Sequence, residues 1–243
     1  MNGFAALYGG QVSRARAARV PLLFVATLQS LGILLLLRGV VDTTSDTTAQ
    51  QVVAGSTVLV VAFVALNLLA QRFGALRASG ALDHYATLPV SGAAVVLATA
   101  AAYATFTVPG AVLTAVVGAL VYGLPLGHLW LLVLVLPLAG AGLAGLGASL
   151  GLLAPRPELA TVLGQLGMSG VLFIGIIPAA RLPEVLRAVR AVVPSTYAVD
   201  ALALSFRTRW DTGLVVRDLG VCVAVAVVAL AVASVAFRRA VRA

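Results

Sequence analysis

The residue pattern closest to a catalytic device is Gly167-Met168-Ser169-Gly170, which has the G-x-S-G form of a serine nucleophile. Such a serine needs a base within hydrogen-bond reach. The chain holds two histidines, His84 and His128, and the patterning below places both in loops. No Asp or Glu lies in the apolar run around Ser169. The pattern therefore reads as a small-residue packing face, like Gly147-x-x-x-Gly151 and Ala141/Gly145/Ser149, whose spacing lets helices approach closely. Cys222 is the single cysteine, so an internal disulfide is excluded. With two His and one Cys far apart, no metal-ligand spacing is present. All 16 basic residues are Arg. Without Lys the chain has no G-x-x-x-x-G-K-[ST] phosphate loop and no Schiff-base amine. Any ATP that it uses must be bound on another chain. Gln29, Asn67, Thr105 and Gln165 are polar residues set in long apolar runs. A polar group in hydrocarbon needs a partner. These four are candidates for facing an internal cavity or path, with interhelical packing as the alternative of equal weight.

The elements that position them follow from composition. Of 243 residues, 61% are hydrophobic and 10% charged, and the mean hydropathy is +1.09. Soluble domains are about half apolar and about a quarter charged, so this is no soluble domain. Disorder needs few apolar residues and many charges. An outer-membrane barrel would alternate in polarity, whereas these runs are continuous. A helical polytopic membrane protein remains, with about 20 residues needed per span. Charge-free apolar runs predict six spans: Val20–Leu37, Val52–Ala70, Val90–Val121, Leu129–Leu153, Leu159–Ala179 and Leu214–Phe237. The turn signals in Tyr122-Gly-Leu-Pro-Leu-Gly-His128 divide the long stretch from Tyr85 to Ala154. The first run is too long for a signal-peptide core, and no cleavage site follows it.

Six spans put both termini on one side. With them in the cytosol, the inner segments hold Arg14, Arg16, Arg19, Arg72, Arg77, Arg156, Arg238, Arg239 and Arg242 against Asp83 and Glu158. Most of the net charge of +8 then lies inside, as the positive-inside rule requires. That same rule accounts for the charge without nucleic acid as a partner. Apart from interfacial residues, the spans lack the ionisable groups that mark ion relays, which disfavours an ion-coupled secondary transporter.

Three stretches are neither span nor simple loop. Residues 1–19 carry Phe4, Leu7, Tyr8 and Val12 at helical spacing before Arg14, Arg16 and Arg19, and read as an amphipathic helix in the inner interface. Residues 72–91 form an inner loop with a short helix near Leu82–Leu88, ended before Pro89. Residues 181–213 carry Leu182, Val185, Leu186, Val189 and Val193 on one helical face, stopped by Pro194. This is the pattern of an outer interfacial or re-entrant helix between spans five and six.

Two of these stretches carry a resemblance. Arg77-Ala-Ser-Gly80-Ala-Leu82-Asp83, followed by Leu88-Pro89-Val90-Ser91, resembles the inner loop of ABC-2-type permeases. Leu182-Pro183-x-x-Leu186, then Pro194-Ser-Thr-Tyr197-Ala-Val-Asp200, is similar to that family's signature before its last span. The resemblance covers nearly the whole chain. It implies one all-α transmembrane domain over residues 1–243, the half-size permease of an ATP-driven exporter of the daunorubicin-resistance type. That exporter would carry a drug, lipid or other amphipathic substrate out across the cytoplasmic membrane. It further implies an ATPase subunit as partner, a second permease subunit, and ATP and Mg held on the partner, with no cofactor and no enzymatic site on this chain. The resemblance makes Gly80, Leu82, Asp83, His84, Tyr85, Leu88 and Pro89 the coupling loop that contacts the ATPase. It makes Leu182, Pro183, Pro194, Tyr197 and Asp200 the outer signature. Leu76 and Ala78 stand where the family has acids beside Arg77. The rival is a membrane scaffold or regulator built on the same fold.

Overall fold

Long apolar helices are the expected answer to a solvent that cannot hydrogen-bond the backbone, and helices are what this chain builds. A computed structural model describes residues 8–10, 12, 19–40, 46–82, 91–176, 183–184, 194–207 and 211–242. Among them there is no strand. The helices are α1 (Arg19–Val40), α2 (Asp46–Ala62), α3 (Leu69–Ala78), α4 (Gly92–Tyr122), α5 (Leu132–Leu153), α6 (Pro157–Ile176), α7 (Pro194–Leu204) and α8 (Thr212–Arg242). A π-helical segment, Phe63–Leu68, joins α2 to α3 without a break, and a 3₁₀ turn, Leu129–Leu131, leads into α5.

The joined α2–π–α3 rod, Asp46–Ala78, is the axis of the bundle. It touches α1, α4, α5, α6 and α7, and 89% of its most apolar window is buried. By contrast, only 28% of the corresponding window of α8 is buried. Both stretches are apolar, because lipid tails are as apolar as leucine. Hydropathy alone does not rank them. The rod's polar side chains do: Gln50, Ser56, Thr57 and Asn67 are all buried, as groups that lipid cannot satisfy must be.

Small residues set the packing. A Cβ on Gly147 of α5 would stand 2.5 Å from the Leu66 carbonyl and 2.7 Å from that of Ala65. One on Gly145 would stand 2.6 Å from the Ala229 backbone of α8. A Cβ on Gly151 would collide with the Ala70 carbonyl. The small-residue spacing of α5 therefore lets its backbone lie directly against the rod on one side and α8 on the other.

Contacts at the helix ends fix the alternation. Arg77 donates to the carbonyls of Leu152 (2.8 Å) and Ala154 (3.0 Å), joining the end of α3 to that of α5. At that same end, Gly92 packs against Phe237 of α8. At the opposite end, Tyr122 of α4 donates to the Leu34 carbonyl of α1 at 3.0 Å. There also Gln50 and Gln51 of α2 reach Phe206 and α7. Turn chemistry closes the helices. Gly123, at φ +67°, ends α4 with the Leu124 amide on the Ala119 carbonyl at 2.8 Å, a left-handed cap that suits glycine.

Among the described residues, three helices are long and apolar enough to cross a membrane: Asp46–Ala78, Leu129–Leu153 and Thr212–Val241. A fourth counts if Ala94–Thr105 and Thr107–Tyr122, inclined at 47°, are one broken span. The all-α membrane class expected from composition is what the chain adopts. Of the amphipathic N-terminal stretch only residues 8–10, 12 and 19 are described, and residues 181–182, 185–193 and 208–210 of the outer stretch lie outside the described residues. Pro194, expected to stop a helix, opens α7, a first-turn position that proline suits.

Candidate functional site

The features that concentrate at one place are backbone irregularities. In α4, Pro109 lacks the amide that would bond the Thr105 carbonyl, and its ring crowds that carbonyl. The helix bends by 47° between Thr105 and Thr107. In α5, Pro137 withdraws the same bond from Val133. In the rod, Phe63–Leu68 widens to a π-helix, a form that recurs at functional sites. All three line a single groove of about 520 Å³. Its walls include Val61, Val64 and Ala65 of the rod, Tyr103 and Pro109 of α4, and Pro137 of α5.

The groove carries no charged residue. Its two threonine hydroxyls are turned back onto their own helix. Thr105 Oγ1 donates to the Ala101 carbonyl at 2.9 Å, and Thr107 Oγ1 to that of Tyr103 at 2.9 Å. Leu97 and Val108 on its walls are exposed. The π segment is clamped from behind by glycines. Gly147 lies against its carbonyls, and Leu66 fills the space where Gly167 of α6 has no side chain, 2.8 Å from that missing Cβ. This is what the Gly167-Met-Ser-Gly170 pattern does. Ser169 spends its hydroxyl proton on the Gln165 carbonyl of its own helix at 3.0 Å.

Of the four polar residues read as path candidates, Thr105 lies on the groove. Asn67 is 3% exposed, and its Oδ1 accepts from Gln71 Nε2 at 3.0 Å. A Cβ on Gly164 would stand 3.0 Å from that same oxygen, so Asn67 serves as packing between the rod and α6. Gln29 is half-buried on α1, and Gln165 is exposed on α6. The structure does not bring the four together.

The inner loop shows two of its residues in structural roles. Gly80, at φ +69°, ends α3 with the Ala81 amide on the Leu76 carbonyl at 3.1 Å. Leu82 is 2% exposed and belongs to the core, so its side chain faces the bundle. Asp83, His84, Tyr85, Leu88 and Pro89 lie outside the described residues. Ser91, at the end of that motif, caps α4 by accepting the Ala94 amide at 3.2 Å. Arg77, which lacks neighbouring acids in the sequence, is held instead by the C-terminal carbonyls of α5, where cations are favoured.

At the outer end, Asp200 accepts from Gln51 Nε2 at 2.9 Å, tying α7 to the rod. Tyr197 is half-buried on α7, Pro183 is exposed, and Leu182 lies outside the described residues. Asp218 is 2% exposed and pairs with Arg217 at 2.8 Å. The apolar-run pattern puts Asp218 near the start of the last span, where it counts as an acid offsetting arginine, and gives it no site role. The signal available was its position next to an Arg in an apolar run. Among the described residues, no group of three His, Cys, Asp or Glu could hold a metal.

The family described as ABC-2 family transporter protein matches the chain over residues 23–235. No curated protein sequence matches it.

Proposed function

Because the chain belongs to the ABC-2 family of transporter proteins, we propose that this permease is the membrane subunit of an ATP-driven exporter. Its cargo is a drug, lipid or other amphipathic substrate, moved out across the cytoplasmic membrane. The observation that carries this is the family match over residues 23–235, which takes in every helix from α2 to α7 and most of α1 and α8. A sequence without Lys supports a separate ATPase, since a phosphate loop needs one. Six spans, with both termini cytosolic, agree with the end-to-end alternation of α1 to α6 and α8. They also put Arg72, Arg77, Arg156, Arg238 and Arg239 on the inner side. The inner loop from Gly80 to Pro89 docks on the ATPase, and a second permease subunit completes the assembly.

ATP drives such a machine only if the ATPase holds it with different affinity in the two permease states. Residues 79–91 connect α3 to α4, so a pull on this loop acts on both the rod and the kinked helix that line the groove. The test is purification from native membranes in mild detergent with identification of any ATPase that stays bound, followed by ATP hydrolysis in vesicles. An ATPase that stays bound, and is stimulated by an amphiphile, is the expected result. Absence of any bound ATPase would overturn the proposal. Asp83→Arg is expected to abolish the stimulation while insertion, read by yield in the membrane fraction, is unchanged.

A further inference from the structure

A hydrogen bond from the N-terminal stretch lies at the rim of the groove. Tyr8, in the N-terminal stretch, brings its hydroxyl to 2.8 Å from Thr105 Oγ1, across 97 residues of sequence. Thr105 Oγ1 already gives its one proton to the Ala101 carbonyl. Tyr8 is therefore the donor and Thr105 the acceptor. Tyr8 is half-buried and Thr105 exposed, so the bond sits on the outer surface of the bundle. Thr105 is also the residue whose carbonyl Pro109 leaves without its helical amide, and it borders the 47° bend. One hydrogen bond thus joins the N-terminal stretch, the hinge of α4 and the rim of the groove.

We propose that the groove takes up the uncharged hydrocarbon portion of an amphiphile dissolved in the bilayer, and that the Tyr8–Thr105 hydrogen bond is the latch at its rim. The proposal rests on the permease reading only in calling that amphiphile the cargo. Three observations point to this occupant. The walls hold no charge, and both threonine hydroxyls are spent on their own helix, which leaves the Tyr103 phenol as the further side-chain hydroxyl on the walls, so the groove offers a hydrocarbon chain its match and a charged group no counter-charge. Its volume of about 520 Å³ lies within the range of ligand sites, roughly 300–1,000 Å³. Each of the three walls carries a helix irregularity, and kinks and π segments are where helices change shape. A latch is consistent with walls that move. Thr105 keeps its own bond to the Ala101 carbonyl when the contact breaks, so release leaves the Tyr8 hydroxyl without its acceptor.

The test uses the isolated permease in phosphatidylcholine vesicles, with no ATPase present. Its outcome is therefore separate from co-purification with the ATPase. Cys222, which is buried, is replaced by Ala, and Ala104, on the groove wall, by Cys. The probe is an alkyl maleimide, with a sulfonated maleimide as the charged comparison. The alkyl reagent is expected to label Ala104→Cys and the sulfonated one to fail. Tyr8→Phe and Thr105→Val are expected to speed labelling about three- to twenty-fold, the shift that loss of one interhelical hydrogen bond in a membrane produces. Thr105→Ser, which keeps the acceptor, is expected to label at the parent rate. Dodecanol in the bilayer is expected to slow labelling. Equal rates in the parent and Tyr8→Phe would overturn the latch. Labelling by the charged reagent, or no protection by dodecanol, would overturn the occupant.

Discussion

Arg77 shows how a single side chain can be misjudged from its neighbours in sequence. Leu76 and Ala78 offer it no charge partner, yet its guanidinium reaches the Leu152 and Ala154 carbonyls at the C-terminus of α5. A cation there satisfies carbonyls that have no intrahelical donor. Arg77→Ala is expected to cost about 2 kcal/mol, the scale of a charged hydrogen bond, and to lower the melting temperature of the purified permease. Arg77→Lys is expected to recover only part, because lysine lacks the planar fork. Gly147 makes the opposite point. A methyl there meets two backbone oxygens at 2.5 and 2.7 Å, which cannot move as a side chain can. Overpacking costs about 1–3 kcal/mol, more than the gain of about 1 kcal/mol from replacing a helical glycine. Gly147→Ala is expected to destabilise, and Gly32→Ala, with nothing within 4 Å, to be neutral or slightly stabilising. Thermal unfolding followed by fluorescence compares them.

Which elements exist was legible in the sequence, because charges and Gly-Pro pairs interrupt apolar runs at the right lengths. The starts of α4, α5, α6 and α8 fall within two or three residues of the apolar-run boundaries. The extension of α2 back to Asp46 was not legible, since Gln50 and Gln51 look like loop residues until Phe206 and Asp200 accept from them. The centrality of the rod was hidden too, for lipid-facing and protein-facing surfaces are equally apolar. The groove was out of reach for another reason. It arises from a π segment and two prolines on three helices, and no sequence period reports their meeting. Pro109 belongs at this scale. Pro109→Ala restores an amide for the Thr105 carbonyl and is expected to raise stability by up to about 3 kcal/mol. The same change is expected to straighten α4, and amphiphile-stimulated ATP hydrolysis in the assembled transporter should fall to its basal rate. Stimulation that survives in a stabilised Pro109→Ala variant would show that the bend is not used.

For the molecule as a whole, the distribution of charge must be consistent with the contacts that pair the helix ends. The end that gathers Arg77, Leu152 and Phe237 carries Arg72, Arg156, Arg238 and Arg239 with Glu158 as its described acid. The other end mixes Arg38, Arg207 and Arg217 with Asp46, Asp200, Asp211 and Asp218. Three of these four acids are held by named partners, Asp200 by Gln51, Asp211 by the Leu214 amide and Asp218 by Arg217. Orientation by charge depends on arginine near the span ends, with acids counting little. Both ends hold arginine, so the short, acid-poor segments decide. Residues 72–82 and 154–158 are such segments, and both lie at the first end. That end is therefore expected to face the cytosol. In a Cys222→Ala background, Ser79→Cys should react with an impermeant maleimide only after the cells are permeabilised. Gly127→Cys, in the exposed loop after Gly123, should react in intact cells. The reverse pattern would invert the molecule and place residues 72–91 where no cytosolic ATPase could reach them, so this one labelling experiment also bears on how the transporter is driven.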